Sequence, residues 1–181
     1  MYTNKIYTLP EHNGEIEIVY HVSNFNYRKG GMGRAPYFGS VENLIQSRFT
    51  KMAISFFLIG SIFFMGLYHL GANLFRFKSK MALYFALVCF FTVLRTLSLN
   101  DHFLIEFMNF PWWLSTRIEL ISFYFILAFT IKFIYHLFPS AIPLFFNKAP
   151  VYLAYTCSVI AAFTPLLYGT YTVPVMQIAT I

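Results

Sequence analysis

Arg95 and Glu119 lie inside long apolar runs, which makes them the first candidates for chemistry in this chain. A charge surrounded by hydrocarbon is costly and by default marks a functional position. Arg95 stands about five residues before the end of one run, and Glu119 about six residues into the next. At about 1.5 Å per helical residue, both would lie roughly 7–10 Å below the same interface. They are expected to pair. Such a pair is either a latch between two helices or, more plainly, an ion pair that sets helix register. Arg117 is expected to snorkel outward.

A second group, Tyr68, His69, Lys132, Tyr135 and His136, falls near the opposite interface by the same count. The plain reading is interfacial anchoring. The functional reading is a proton-sensitive layer with histidine as the titrating group. A metal site would need a tighter cluster with a further ligand, so none is expected. There is no nucleophile elbow, glycine-rich phosphate loop, HExxH motif or pair of catalytic carboxylates. No enzyme activity and no cofactor are therefore expected. Cys89 and Cys157 sit in apolar runs without a CxxC partner and read as small buried hydrophobes.

The elements that must position these groups follow from composition. The chain has 181 residues, 58% hydrophobic, 21% aromatic and 11% charged. A soluble domain carries about a quarter charged residues. Ten of the charged residues precede residue 52, and the other ten are spread over the rest. The chain therefore divides into a water-compatible head and a lipid-compatible body, with the seam at Lys51/Met52. The basic residues behind the net charge of +6 form no stripe, which argues against nucleic acid as a partner.

A bilayer core about 30 Å thick needs about 20 apolar residues per helix. Spans are expected at about 52–75, 81–99, 112–138 and 150–168, with a partial fifth at 173–181. Gly169, Thr170 and Pro174 suggest the turn between the last two, and Pro165 a kink. Glycines 60, 66 and 71 offer close helix contact without GxxxG spacing. A half-length span would leave backbone carbonyls unsatisfied in lipid, so the chain is expected to be a fragment.

The loop Arg76–Lys80 is basic, the loop 100–111 carries Asp101 and Glu106, and Lys148 marks the next loop. Basic loops stay cytoplasmic, which sets the N-terminus outside a multi-pass plasma-membrane protein. In the head, residues 15–22 alternate as a strand does, and residues 23–31 read as a turn. Residues 1–39 are expected to be the end of an extracellular β-sandwich. Ser40 can cap a helix with Glu42 in its first turn, giving an amphipathic linker over 40–51 and the membrane region over 52–181. The linker is either a lever or an interfacial helix lying on the bilayer. The expected fold is mainly α: a helical transmembrane bundle preceded by a short extracellular β segment.

Three segments carry a family likeness. The head "IEIVYHVSNFNYRKGGM" resembles the end of a galactose-binding-like jelly-roll sensor. The stretch "YFGSVENLIQSRFTKMAISFFLIGSIFFMGLYHLGANLFRFKSKMALYF" and the later "FTVLRTLSLN" and "RIELISFYFILAFTIKFIYHLFP" look like the first spans of a seven-span bundle. Together they resemble the bacterial seven-transmembrane receptors with diverse intracellular signalling modules. The resemblance implies an extracellular sensor, seven spans and a cytoplasmic output domain. The partners it implies are the lipid bilayer, an unidentified extracellular ligand held by the sensor, and a cytoplasmic effector domain or protein; a homodimer is left open. The function implied is relay of a sensor state across the membrane. The alternative is a small transporter or channel with Arg95 and Glu119 in its polar pathway.

The expected pair can be tested by exchange of sign. Arg95→Glu and Glu119→Arg should each lower thermal stability in lipid nanodiscs, and the double exchange should recover much of the loss. A double variant no better than either single one rules the pair out.

Overall fold

The computed structural model describes residues 6–9, 14–15, 17–19, 21, 36–77, 79–99, 103–140 and 143–179. The expected turn at Ser23-Asn24-Phe25 and Gly30-Gly31 lies outside them. Among the described residues there is no strand, so the expected β segment over 1–39 is not seen there. The described body is mainly helical: α1 (Val41–Ala72), α2 (Lys80–Leu99), α3 (Phe103–Met108), α4 (Trp112–Leu137), α5 (Leu144–Phe163) and α6 (Leu166–Ala179).

Three of these, α1, α2 and α4, are long and apolar enough to cross a membrane. The Ser40 side chain accepts a hydrogen bond from the Asn43 backbone N–H at 3.4 Å, and Glu42 lies in the first turn. From that cap α1 runs unbroken for 32 residues, about 48 Å. Linker and first span are therefore one helix. A π-helical turn, Asn73–Phe77, ends it and leaves a very short connection to α2.

The less exposed positions of α1 include 52, 55, 59, 62, 66 and 69, an alternation of three and four. This is the narrow seam of a helix packed mainly against one helical neighbour. That neighbour is α2, packed antiparallel: Phe63 meets Phe90 with ring centroids 5.6 Å apart, and His69 meets Phe85 at 4.6 Å. At Gly66 an added Cβ would stand 3.0 Å from the Cys89 Cβ. Gly66 thus lets the two backbones close, as small residues do where lipid leaves packing as the driving force. Followed outward, this register brings the end of α2 level with about residue 55 of α1, where Phe56 packs at a tilt against Phe103 of α3, ring centroids 4.7 Å apart. The first fourteen or so residues of α1 reach past the end of α2 by about 21 Å.

Helix α4 is the hub, in contact with α2, α3, α5 and α6. One face packs Leu120, Tyr124 and Ala128 against Val151, Ala154, Cys157 and Ala161 of α5 and Met176 of α6. The other carries an aromatic ladder to α2, with Phe91 stacked on Phe125 at 4.8 Å and on Phe129 at 5.7 Å. Hydroxyls within the helices bond back to their own backbone: Thr92 to Val88, Thr96 to Thr92, Ser98 to Leu94 and Thr116 to Trp112. Such back-bonding satisfies a polar group where water is absent.

The last two elements differ from expectation. The break falls at Thr164–Pro165, where Thr164 is extended (φ −88°, ψ 161°). A residue before proline disfavours the helical region, and this ends α5 at Phe163. The span expected over 150–168 is replaced by α5, which starts at Leu144 and holds Pro150 inside. Gly169, Thr170 and Pro174 form no turn but lie within α6, which begins seven residues before the expected 173. Gly169 is a packing residue, its missing side chain facing Ala161 and Leu120. The loop expected over 100–111 contains α3, whose Phe103 and Leu104 are buried.

The contacts at the glycines predict a contrast. Gly66→Val should force α1 from α2 and cost about 1–3 kcal/mol. Gly71→Ala, where nothing lies within 4 Å of the added atom, should be neutral or gain about 0.4–1 kcal/mol. Thermal unfolding of both variants in the same nanodiscs reads the difference.

Candidate functional site

Among the described residues, two groups of charged side chains stand near the two ends of α4. At the end where α4 begins, Arg95 of α2 reaches across to Glu119. The Arg95 Nη1 donates to the Glu119 backbone carbonyl at 3.0 Å, and the guanidinium lies 4.7 Å from the Phe123 ring centre. The two residues expected to pair are thus neighbours, joined by this main-chain bond. The Ser122 hydroxyl donates to the same carbonyl.

Arg117 reaches from α4 to the break between α5 and α6. Its Nη1 donates to the Ala162 carbonyl at 2.5 Å and its Nη2 to the Thr164 carbonyl at 3.2 Å. The guanidinium also lies 5.5 Å from the Trp113 ring. The carbonyls at a helix C-terminus lack intrahelical donors and carry partial negative charge. Arg117 supplies that donor and that charge at the α5–α6 break. A cavity of about 470 Å³ opens beside it, walled by Trp112, Trp113, Pro165 and Tyr168. The sequence signal for this role was the Thr164-Pro165 pair, which frees carbonyls at about the depth of Arg117. Deeper in, Tyr124 is fully buried, and its hydroxyl bonds the Thr172 hydroxyl, which pins α6 to α4.

At the other end, Lys132 of α4 donates to the Tyr155 hydroxyl of α5 at 2.8 Å. Its ammonium lies 5.0 Å from the Tyr155 ring, 5.7 Å from Tyr84 and 6.0 Å from Phe129. An ammonium among aromatic faces gains cation–π attraction that strengthens as water is excluded. His136, one turn on, shares a bond with the Lys132 carbonyl through Nδ1 and packs on Tyr84 at 5.1 Å. Lys132 and His136 therefore belong to one cluster with Tyr84 and Tyr155, which sequence reasoning missed. Their contribution depends on how α2 and α5 pack on α4, which spacing along the chain does not reveal. Tyr135 packs edge-on against its neighbour His136. Tyr68 and His69 stand apart from the cluster: Tyr68 is largely exposed, and His69 packs on Phe85. Among the described residues no group of three or more His, Cys, Asp or Glu could hold a metal ion.

This arrangement of membrane helices around a polar-ended hub agrees with a comparison of families. Residues 51–181 match the family described as 7TM diverse intracellular signalling. The chain belongs to this family. The match begins at the seam between the charged head and the apolar body, so the family region and the lipid-compatible region coincide. No curated protein and no solved structure matches the chain. The family and the apolar helices make this a membrane protein of the seven-transmembrane signalling class.

Removing the Arg117 clamp should loosen the α5–α6 break. Arg117→Ala is expected to cost about 1–3 kcal/mol and to speed protease cutting near residue 164. Arg117→Lys, with one compact donor group, should recover only part of this. Unfolding midpoints and cleavage rates in nanodiscs measure both.

Proposed function

We propose that this chain is the transmembrane relay of a bacterial signalling receptor, carrying the state of an extracellular sensor toward a cytoplasmic output module. The observation that supports it most is α1. It runs from the Ser40 cap through the first span without a break, and its first part reaches past the end of α2. A displacement or rotation applied near Val41 passes along an unbroken hydrogen-bonded rod. Among the described residues it packs mainly on α2, along one narrow seam, with Phe56 touching Phe103 of α3. The relay does no chemistry of its own; the sensor end is the extracellular β segment and the output is an effector domain or protein.

In this reading the N-terminus lies outside in a multi-pass plasma-membrane protein. The basic connection around Lys80 and the Lys148 end of α5 face the cytoplasm. The Arg95–Glu119 contact lies near the outer surface, and Tyr68, His69, Lys132, Tyr135 and His136 near the inner one. The Arg95–Glu119 neighbours act as a latch between α2 and α4.

A lever has a helical phase. Inserting alanines after Thr50 turns the outer part of α1 by about 100° per residue relative to the bundle. In the receptor carrying this segment, two added residues should change basal output most, and four should return it near the starting level. Output that ignores the number inserted would remove the lever. Solute uptake by vesicles containing the protein, abolished by Glu119→Gln, would favour a transporter instead. A cysteine replacing Ser47 should react with impermeant maleimide on intact cells, and one replacing Ser79 only after permeabilisation.

A further inference from the structure

Lys132 and Lys148 line one cavity of about 170 Å³ between α4 and α5, together with Val151, Tyr152 and Tyr155. Residues 148, 151, 152 and 155 share one face of α5, and that face is turned to Lys132. The cavity thus holds two cations from two helices, with a tyrosine hydroxyl already engaged by one of them.

The charge around this cavity is one-sided. Helices α2, α5 and α6 carry no Asp or Glu. On α4 the acid is Glu119, thirteen residues from Lys132, or about 20 Å along the axis. Among the described residues, the contacts that meet Lys132 are a tyrosine hydroxyl and aromatic faces, which attract an ammonium without neutralising it. Lys132 lies five residues, about 7 Å, from the end of α4, and Lys148 four residues from the start of α5. That is the depth at which a phospholipid phosphate meets the apolar core.

We propose that this cavity is a binding site for a phosphate anion presented by an acidic phospholipid headgroup, with Lys132 and Lys148 as the cationic ligands. Tyr152 flanks the headgroup, and Tyr155 orients the Lys132 ammonium toward it. Basic pockets between membrane helices on the cytoplasmic side suit anionic headgroups. The assignment to the inner leaflet rests on the orientation proposed above, whereas binding itself does not. Because the site joins α4 to α5, an occupied cavity braces the hub on the side away from α1.

The test uses the purified full chain in nanodiscs of phosphatidylcholine with and without phosphatidylglycerol. Retained lipid is counted by native mass spectrometry, and the unfolding midpoint is followed. The wild-type protein should retain phosphatidylglycerol in preference to phosphatidylcholine and unfold at higher temperature with it. Lys148→Gln, at an exposed position, and Lys132→Met should each weaken that preference about fivefold. The double variant should lose it, and Lys132→Arg should keep most of it. Inorganic phosphate added to phosphatidylcholine discs should give little stabilisation. Equal phosphatidylglycerol retention by wild type and a folded Lys148→Gln variant would overturn the site. Full stabilisation by inorganic phosphate, with none added by phosphatidylglycerol, would overturn the lipid as its source.

Discussion

Inside a bilayer each backbone donor and acceptor has to find its partner within the protein, because no water is present to supply one. The described body answers this constraint at each level. Its segments are helices, and their hydroxyls fold back on carbonyls one turn earlier. Where proline and an extended threonine open the chain between α5 and α6, Arg117 crosses from α4 to satisfy the freed carbonyls. Arg95 also donates to a main-chain carbonyl, that of Glu119 within α4. Both intramembrane arginines thus donate to main-chain carbonyls, Arg117 to those at a helix end and Arg95 to one within α4. A functional latch between α2 and α4 would be built on that structural use.

The same constraint explains why the molecule is uneven. Helix α4 is held on several sides, by stacked rings toward α2, by small residues toward α5 and by the Tyr124–Thr172 bond toward α6. Helix α1 is held mainly along one seam, which includes a close approach of Gly66 to Cys89. An element with few packed contacts has the lowest cost of movement, and moving parts are drawn from such elements. A stiff helix on a narrow seam beside a well-packed hub has the mechanics of a lever on a stator. Phe57, Phe64 and Tyr68 are exposed on α1 and are compatible with lipid at little cost.

Much of this was legible in the sequence because charge and length are local properties. The charge count placed the seam at Lys51/Met52, and the three long helices lie close to the expected runs. Depth counting put Arg95 level with Glu119, and Lys132 near the far end of α4. The α5–α6 region was misread because glycine and proline lose their force as punctuation within a membrane helix. Gly169 and Pro174 are absorbed by α6, and the effective signal was Thr164 before Pro165. Partners from other helices, such as Tyr84 and Tyr155 around Lys132 or Ala162 beneath Arg117, depend on helix rotation and packing. No periodicity along one segment encodes those. The proposed β segment of the head rests on the alternation over 15–22, the turn residues over 23–31 and the sensor likeness, and most of residues 1–39 lie outside the described ones.

The central claim is that the linker and the first span form one rod. The direct measurement is a spin-label distance between cysteines placed at Ser47 and Asn73, with Cys89 and Cys157 replaced by alanine. An unbroken helix predicts a single narrow distribution near 39 Å between the backbones, about 1.5 Å for each intervening residue. A broad distribution, or one several ångströms shorter, would show a joint at the membrane surface and contradict the lever.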